Sequence, residues 1–531
     1  MSHSVSLKPL PQAHAPQACY DPAYAVPFDL SILTIGHKKD HTTIKALIIG
    51  GGIAGLALAI MMDLAGIEFE ILEGSTGHDS SMTRTSILGP PVLRLLEQMD
   101  LLPQIEAISK PINGLNIIDG ESNKRMGRIE GIGHERYGYP IRVCTREDFY
   151  QVLLARVPKR YLHTGKQVVE TTQNANGASC RCADGSTYYG DIIVGADGSR
   201  SVVREKMYTA LKEKSRLPEP DLEPSCYEHG SIGGVTTPLD KSIYPTAHDA
   251  SAELMVIYTK DAPYTFWYLP VSGNRVSWGI NNIYPPKYSY HSYSRHVATS
   301  LSQDEQLYVP MGNFPTATSS PRVPIQVRGS KVHHDWSAPP DIDLEASFKD
   351  LLDVHCAIGP GTVRDFIKHT PKQSVQMIDQ EERVWKTWYH GRMVLIGDAC
   401  HQSLMSGGQG TVQALLDGVC LVNLLYDMEY KTPDHISKVF KKYQSERSKA
   451  VKVSIENTSQ TDNAFHGQGI KATLMRKLLF NTAWTFSLKS DKFNNYRPQL
   501  SFLPFVEDRG TSKANKQKIA ERLSGKRSIG F

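Results

Sequence analysis

A glycine-rich turn between an apolar strand and an apolar helix is the feature that most constrains the fold of this chain. Residues 45–49 read KALII and residues 50–55 read GGGIAG, followed by a run of Ala, Leu, Ile and Met. A short apolar run of this kind is typical of a buried parallel strand. Gly50, Gly52 and Gly55 occupy the GxGxxG positions, where glycines allow a tight turn, a close phosphate and close helix packing. The pattern predicts a strand–helix unit that binds a dinucleotide.

A second strand follows this helix and ends on a carboxylate. Residues 67–72 read IEFEIL, and Glu73 comes next, about 20 residues beyond the glycines, which is the spacing of the dinucleotide pattern. We expect Glu73 to accept hydrogen bonds from ribose hydroxyls, and the turn with Ile53 and Ala54 to present N–H groups to a diphosphate. A purely structural turn is the alternative, because a lone GxGxxG pattern also arises by chance.

The composition describes a globular protein and narrows its partners. The 531 residues are enough for two or three layered units, and the hydrophobic content is 40%. A formal net charge of +4 is too small to favour a nucleic acid partner. The eight cysteines show no CxxC or zinc spacing, which favours reduced thiols in the cytosol. His333 and His334 have no partners at metal spacing, so no metal site is predicted.

The two ends of the chain bear on its location. Residues 1–41 are rich in Pro, Ala and His and lack the n-region and h-region of a signal peptide, so we expect a flexible tail. No apolar run reaches the length of a membrane span, which predicts a cytoplasmic protein. Residues 470–489 form an amphipathic segment that favours packing on the protein body. Peripheral membrane contact through this C-terminal region is the alternative.

Two further motifs follow apolar strands. Residues 191–204 read DIIVGADGSRSVVR, and residues 395–410 read LIGDACHQSLMSGGQG. Together with the glycine turn, and in this order, they resemble the FAD-dependent monooxygenases of the aromatic-hydroxylase-like type (class A flavoprotein monooxygenases, paxM-like). The resemblance is close over residues 44–205 and 385–425. The residues between these ranges resemble the family only in being rich in strand-like segments.

Each motif contains residues that the family uses to hold FAD. The resemblance implies that the glycine turn and Arg146 bind the FAD diphosphate, Glu73 the adenosine ribose, and Asp398 the ribityl chain. Asp197 and Arg204 match a fingerprint implicated in both FAD and NAD(P)H recognition. The predicted cofactor-binding residues are Gly50, Gly52, Ile53, Ala54, Gly55, Glu73, Arg146, Asp197, Gly198, Arg204, Gly397, Asp398, Gly408, Gly410 and Thr411.

Some of these assignments have alternatives. Asp398 could cap a helix, and Arg204 could form a structural salt bridge with a nearby acid. His401 could pair with Asp398 as an acid–base dyad, which is the less favoured interpretation because the loop is explained by flavin contact. The helix that follows Gly408 is expected to direct its N-terminus at the flavin ring and to stabilise negative charge there.

The chain departs from the family pattern at four positions. Met405 stands where the family usually has Pro, and Val412 and Leu416 stand where it often has Asn and Glu. Gly74 replaces the basic residue that usually follows the strand-end glutamate. These changes leave FAD binding in place and bear on the pocket in which oxygen is activated.

Local patterns also predict individual elements. Residues 90–105 predict a helix started by paired prolines, and Thr145 is the expected N-cap of the next helix. Residues 166–198 predict a β-meander with turns at Asn176-Gly177 and Asp184-Gly185.

The order of these segments predicts an α/β fold, α+β overall. It consists of a Rossmann-like FAD-binding domain, an inserted sheet-rich substrate domain and a helical C-terminal tail. The predicted parts of the FAD-binding domain are 42–225 and 376–445, the substrate domain is 226–375, and the helical C-terminal region with a basic end is 446–531.

The function that the resemblance implies is an FAD-dependent, NAD(P)H-consuming monooxygenase. Non-covalent FAD, reduced by NADPH or NADH, would react with O2 to a C4a-hydroperoxyflavin that hydroxylates or epoxidises a small apolar or aromatic organic substrate of secondary metabolism. No catalytic side-chain nucleophile is expected, because the cofactor performs the chemistry. A flavin dehydrogenase or oxidase without oxygen transfer and a non-catalytic flavin-binding protein are the two alternatives.

Overall fold

A computed structural model of the chain describes most of the residues around the three motifs. The described residues are 44–76, 85–130, 133–223, 229–258, 264–283, 308–309, 325–326, 352–354, 356, 361–404, 408–466, 491 and 493–517. Predictions for the N-terminal tail, Met405, His333 and His334, residues 470–489 and the basic C-terminal end therefore lie outside the described residues. Among the described residues, no helix has the length and apolar character needed to cross a membrane.

The chain alternates strands and helices in its first part and is dominated by strands in its middle. The strands are β1 Lys45–Ile49, β2 Glu68–Leu72, β3 Thr85–Leu88, β4 Lys110–Asp119, β5 Arg125–Glu130, β6 Arg142–Thr145, β7 Leu162–His163, β8 Val168–Gln173, β9 Ala178–Cys182, β10 Thr187–Gly190, β11 Ile192–Gly195, β12 His229–Val235, β13 Ala252–Tyr258, β14 Tyr264–Val271, β15 Arg275–Ile283, β16 Tyr308–Val309, β17 Ile325–Gln326, β18 Gln376–Gln380, β19 Arg383–Val384, β20 Tyr389–His390, β21 Met393–Leu395 and β22 His401–Gln402. The helices are α1 Ile53–Leu64, α2 Pro90–Gln98, α3 Leu102–Ile108, α4 His134–Tyr137, α5 Arg146–Arg156, α6 Val202–Glu213, α7 Glu219–Leu222, α8 Val363–Lys368, α9 Gly410–Tyr426 and α10 Pro433–His466.

A six-stranded sheet carries all three motifs. Its order is β20-β21-β11-β1-β2-β7, and every pair except β20–β21 is parallel. β1 and β11 are buried along most of their length because helices cover both faces of a parallel sheet, which explains their continuous apolar sequences. This arrangement is the Rossmann-like architecture that the sequence predicts.

The predicted β-meander forms as a three-stranded antiparallel sheet, β10-β9-β8, but β11 at the end of the predicted segment belongs to the parallel six-stranded sheet. Asn174 Oδ1 accepts hydrogen bonds from the backbone of Asn176 and Gly177 at the first turn, and Gly185 adopts a φ of 86° at the second. Cys180 and Cys182 lie on the buried face of β9 as free thiols, so the reduced state expected from the sequence agrees with the structure.

A larger sheet combines residues from both sides of the predicted boundary at residue 226. Its order is β18-β12-β15-β14-β13-β4-β6-β3, with β5 paired to β4. Strands β3 to β6 and strand β18 were assigned by the sequence to the FAD-binding parts, yet they hydrogen-bond into this sheet. The parallel pairing of β4 with β13 joins residues about 140 positions apart, and no local pattern in the sequence encodes such a partner.

The two faces of the larger sheet are covered differently. Phe266, Tyr268 and Trp278 belong to a buried cluster that packs under α8. Leu269 and Val271, on the opposite face of β14, belong to a second cluster against which Ile87 of β3 packs. The second face is the one that approaches the third motif, as described below.

Two helical predictions need correction. The helix expected over 90–105 is two helices, α2 and α3, because Asp100 adopts a left-handed φ of 58° that ends the first one. Among the described residues from 446 onward, helix extends to His466 and recurs at 491 and 493–494, whereas residues 497–517 are irregular. Pro498 and Pro504 oppose helix there, and Gln98 of α2 instead donates to the carbonyls of Leu500 and Pro504.

Candidate functional site

The three motifs meet at the carboxyl ends of adjacent strands. The backbone N–H of Ala196 donates to the carbonyl of Ile49 at 2.8 Å, and that of Ile396 donates to the carbonyl of Gly195 at 2.9 Å. These bonds join the ends of β1, β11 and β21 side by side. Parallel α/β sheets gather their ligands at this edge, so the structure assembles one site from segments that lie far apart in sequence.

The three fingerprint glycines have different environments. A Cβ atom on Gly50, which has a φ of 105°, would lie 2.5 Å from the carbonyl oxygen of Ala196. A Cβ atom on Gly55 would overlap the carbonyl oxygen of Gly50, so α1 can pack this closely only with glycine. A Cβ atom on Gly52 would meet nothing within 4 Å. Gly50 and Gly55 therefore serve the turn itself, and Gly52 leaves open space beside the start of α1.

Glu73 faces the glycine turn from the end of β2. Its Oε2 accepts from the backbone N–H of Gly51 at 2.6 Å, and its Oε1 accepts from the backbone N–H of Ser75 at 2.8 Å. The carboxylate is half-buried and keeps unused lone pairs on both oxygens, because each oxygen can accept more than one bond. Glu73 is thus fixed beside the turn with capacity for further donors, as a ribose ligand requires.

Asp197 and Gly198 begin the turn after β11. The Asp197 Oδ2 accepts from the backbone N–H of Val203 at 3.1 Å, which ties the carboxylate to the first turn of α6. Its Oδ1 is buried and has no hydrogen-bond partner among the described residues. Burial raises the pKa of this carboxyl, against the opposing effect of its bonds to the α6 terminus. A buried acceptor without a donor indicates that a group outside the described chain completes this position.

Arg204 links the second motif to the third. Its guanidinium donates to the carbonyl of Ala399 at 2.8 Å and to that of Ser199 at 2.5 Å, and it lies 4.2 Å from the centre of the Trp385 ring. The predicted alternative, a salt bridge with an acid, is not what the structure shows. The two carbonyl partners come from turns and could not be inferred from the sequence.

Gly397 and Asp398 lie in a 3-10 turn after β21. Gly397 adopts a φ of 59°, and a Cβ atom there would lie 3.2 Å from the Cβ of Ala414 and 3.5 Å from that of Ala54. The third motif is therefore packed against both α9 and the start of α1. Asp398 is exposed, and no hydrogen bond to its carboxylate occurs within the described part of the chain. It caps neither the 3-10 turn nor α9, so the capping alternative does not hold there.

The sequence interpretation missed a buried acid behind this turn. Asp417 of α9 is fully buried, and its Oδ2 accepts from the backbone N–H of Gly397 at 2.9 Å. His401 Nε2 lies 2.7 Å from the same oxygen, so His401 pairs with Asp417 and not with Asp398. Arg447 of α10 donates from Nε to the Asp417 Oδ1 at 2.7 Å. A lone Asp in the apolar run QALLDGVCLV was the available signal, because a buried carboxylate needs partners.

The charge of this buried acid is set by its partners. Burial alone would raise the pKa of the Asp417 carboxyl, but its electrostatic interactions and hydrogen bonds with His401 and Arg447 outweigh burial and hold the pKa below its usual range. Asp417 is therefore ionised at neutral pH. Its partner Arg447 also donates to the Gln413 side chain at 2.6 Å, which fixes α10 against α9.

The remaining predicted residues surround the same edge. Gly408 adopts a φ of 59°, and a Cβ atom there would lie 3.4 Å from Ile87 of the larger sheet. Gly410 and Thr411 form the first turn of α9, and a Cβ atom on Gly410 would meet nothing within 4 Å. Arg146 is the first residue of α5, directly after the N-cap Thr145, whose Oγ1 accepts from the backbone N–H of Asp148 as predicted.

These observations test whether the site fits a dinucleotide. Open space at Gly52 beside a helix N-terminus suits a diphosphate, because free N–H groups and the helix dipole favour an anion there. The fixed Glu73 carboxylate suits a ribose, and the unpaired Asp197 Oδ1 and the exposed Asp398 suit donors of a bound group. The fold and the site define a dinucleotide-binding scaffold with a second sheet beside the candidate site.

Comparison with known families identifies the chain further. The FAD binding domain family model matches residues 43–222 and 309–458, which is more than half of the chain. The chain therefore belongs to the FAD-binding-domain family, within the aromatic-hydroxylase-like (class A) flavoprotein monooxygenases. It is an FAD-dependent monooxygenase, and the cofactor predicted from the sequence is confirmed as FAD.

Two proteins similar in sequence to this chain are FAD-dependent monooxygenases of Penicillium and Aspergillus species. The FAD-dependent monooxygenase penM of Penicillium crustosum is 26% identical over 427 residues, covering 79% of this chain and 78% of its own. The FAD-dependent monooxygenase atmM of Aspergillus flavus is 23% identical over 482 residues, covering 89% of both chains.

Solved structures show the same fold at low identity. Klebsiella pneumoniae HpxO in complex with FAD and uric acid is 17% identical, with a TM-score of 0.58 over 87% of this chain and 97% of its own. The 2,6-dihydroxypyridine-3-hydroxylase of Arthrobacter nicotinovorans is 16% identical, with a TM-score of 0.57 over 81% of this chain and 95% of its own. These likenesses support the α/β fold with its Rossmann-like FAD-binding domain.

Proposed function

We propose that this monooxygenase uses NADPH or NADH as reductant and inserts one atom of O2 into a small apolar or aromatic organic substrate. Hydroxylation of a ring and epoxidation of an olefin both fit. The observation that carries the proposal is the meeting of the three FAD motifs at one sheet edge, with an apolar face of a second sheet opposite the third motif.

The residues that would hold FAD are those gathered at that edge. The N–H groups from Gly52 to Gly55 would face the diphosphate with Arg146, Glu73 would bind the adenosine ribose, and Asp398 would bind the ribityl chain. Bound FAD would supply the redox and oxygen chemistry, by the route through the flavin C4a position that the family resemblance implies. The N-terminus of α9 would stabilise negative charge on the reduced ring.

The nicotinamide is proposed to visit the flavin without a domain of its own. No other GxGxxG pattern follows an apolar strand anywhere in the sequence. The reductant would therefore bind transiently near the FAD, and the turn from Asp197 to Arg204 remains the segment proposed to assist it.

The larger sheet provides a surface for the substrate. Trp267 lies on the same face of β14 as Leu269 and Val271. The apolar cluster on this face packs against Ile87, and Ile87 in turn lies next to Gly408 of the third motif. Trp267 is half-buried and packs against Gly279, where a Cβ atom would be 2.6 Å from the indole ring. An apolar substrate placed between this face and the flavin would be shielded from water, which oxygen transfer requires.

Two measurements test the proposal. Anaerobic mixing with NADPH or NADH should bleach the visible absorbance of the flavin, and bound substrate should accelerate the bleaching. Incubation with labelled oxygen gas and an extract of apolar aromatic or olefinic compounds should then give a product that contains one labelled oxygen atom.

Other outcomes would select the alternatives. Consumption of NAD(P)H with all of the oxygen recovered as hydrogen peroxide, whatever substrate is offered, would indicate a flavin oxidase or dehydrogenase. A flavin that neither nicotinamide reduces, with or without substrate, would indicate a flavin-binding protein without this catalysis.

A further inference from the structure

A fully buried ion cluster lies directly behind the turn that carries Asp398. It is formed by Asp417, Arg447 and His401, whose side chains are 0–3% exposed. Cys400, His401 and Asp417 could together offer three metal ligands within 4.8 Å of one another. A metal is a poor fit there, because both oxygens of Asp417 already accept hydrogen bonds and one donor is the Arg447 cation.

Among the described residues, the three groups that hydrogen-bond to the Asp417 carboxylate are all donors. Arg447 presents Nε–H to Oδ1, while the backbone N–H of Gly397 and the ring of His401 approach Oδ2. An ionised carboxylate only accepts, so the His401 Nε2 carries a proton in this arrangement. Three donors thus converge on one acceptor, and the Gly397 backbone is one of them.

The same face of α9 holds the turn in two ways. Ala414 and Asp417 are three residues apart, which places them on one side of the helix. Ala414 packs against Gly397, since its Cβ would lie 3.2 Å from a Cβ atom placed on Gly397. Asp417 fixes the Gly397 peptide by a charge-assisted hydrogen bond. On the other side of Asp398, Arg204 donates to the carbonyl of Ala399. The exposed Asp398 carboxylate thus projects from a turn whose backbone is held at both neighbouring residues.

We propose that Asp417 is a positioning residue for FAD: it orients the Gly397 peptide and thereby the Asp398 carboxylate, and Arg447 holds it in place from α10. The inference rests on the proposed role of Asp398 in binding FAD. It predicts that removing Asp417 weakens FAD binding only as long as Asp398 is present.

The test is a double-mutant cycle on FAD affinity, measured by titrating FAD into folded apoprotein. Asp398→Ala should weaken binding roughly ten- to a hundredfold. Asp417→Asn should weaken FAD binding about tenfold, because the NH2 group of Asn is itself a donor and would face at least one of the three donors. The double variant should be within about twofold of Asp398→Ala alone, since both changes remove the same interaction.

Arg447→Lys provides a second route to the same result. A lysine cannot keep the bonds to both Asp417 and Gln413, so FAD affinity should fall several-fold in the wild-type background and not in Asp398→Ala. If Asp417→Asn does not fold, this variant decides the question. Arg497→Lys is the matched control: Arg497 is also buried and paired, with Asp508, and its other bonds go to Tyr137 and Ser512. That variant should lose thermal stability and keep FAD affinity within about twofold.

The outcomes separate the two ideas. Wild-type affinity in Asp398→Ala would remove the proposed role of Asp398 and the inference with it. A second outcome is that Asp398→Ala binds FAD weakly while Asp417→Asn or Arg447→Lys folds and binds FAD normally. A third is that the losses of FAD affinity in the two single variants multiply in the double variant. Either result would mean that Asp417 supports the fold without positioning the FAD ligand.

Discussion

The carbonyl oxygen of Gly50 occupies the space in which any side chain at Gly55 would begin. Gly52, which stands between them in the same turn, has no atom within 4 Å of the corresponding position. Protein fills the space beside Gly55, whereas the space beside Gly52 is open, and there we propose that the FAD diphosphate binds.

Alanine substitutions should distinguish these two glycines. Gly55→Ala should lower the free energy of unfolding by about 1–3 kcal/mol or more, because helix and turn must move apart. Gly52→Ala should leave apoprotein stability nearly unchanged, since the weaker N-cap and the stiffer unfolded chain offset each other. It should nevertheless weaken FAD binding. Chemical denaturation of apoprotein and FAD titration are the measurements, and a Gly52→Ala protein with normal FAD affinity would argue against a diphosphate at this turn.

The flavin released by heat should be FAD and not FMN, because Glu73 is fixed beside the glycine turn, where we propose that it binds the adenosine ribose. Chromatography of the supernatant identifies it. Glu73→Gln should weaken FAD roughly tenfold, since charge-assisted hydrogen bonds are about twice as strong as neutral ones. Recovery of FMN alone would contradict the assignment.

Asp398→Ala should leave the apoprotein as stable as the wild type, because the carboxylate is exposed and has no partner among the described residues. The stabilisation gained on adding FAD should fall by about 1.4–2.7 kcal/mol, which corresponds to a ten- to hundredfold weaker complex. Thermal unfolding with and without FAD measures both quantities. A drop in apoprotein stability alone would point to a structural role.

Arg204→Ala should reduce FAD retention as well as stability, because the guanidinium joins the carbonyls of Ser199 and Ala399 and stacks on Trp385. Arg204→Lys should recover only part of this, since an ammonium cannot bridge two carbonyls and stack at once. Flavin content and anaerobic reduction by NADPH are measured together. Normal flavin content with an increased KM for NADPH would favour the nicotinamide role that the sequence motif suggests.

Buried thiols should make the protein less stable in alkali. Burial raises the pKa of the Cys180 thiol to about 12 from its ordinary value of 9.0. Below the ordinary value the thiol is protonated in both states. Above it only the unfolded chain releases the proton, so stability falls as pH rises. Between about pH 8 and about pH 9.5, the free energy of unfolding of Cys180→Ala should therefore fall by about 0.8 kcal/mol less than that of the wild type. Equal losses in urea titrations of the two proteins would contradict this.

The glycine turn was predictable from sequence because its requirements are local. One strand–helix–strand unit contains the three spaced glycines and Glu73. Each requirement of the turn therefore acts on residues that are close in sequence. The helix start at Thr145 and the β-meander are local in the same sense, and all three agree with the structure.

The partners of long-range groups were not predictable. A salt bridge with an acid was the alternative for Arg204, but its guanidinium donates to two carbonyls, and backbone acceptors carry no sequence signature. His401 stands three residues from Asp398, yet it pairs with Asp417, sixteen residues away, because α9 folds back behind the turn. The membership of β4 in the larger sheet likewise depends on a parallel partner that only the folded chain defines.

The FAD-binding sheet also sets an order of events during synthesis. β11 pairs on one side with β1 and on the other with β21, which lies almost 200 residues later. At 5–20 residues per second, about 10–40 s pass between the emergence of the two strands from the ribosome. Throughout that interval the nascent chain presents an open, apolar strand edge, and the Asp398 turn does not yet exist. On the proposed site, FAD can therefore be fully bound only after β21 has emerged, and chaperone protection of that edge should raise the yield of folded enzyme.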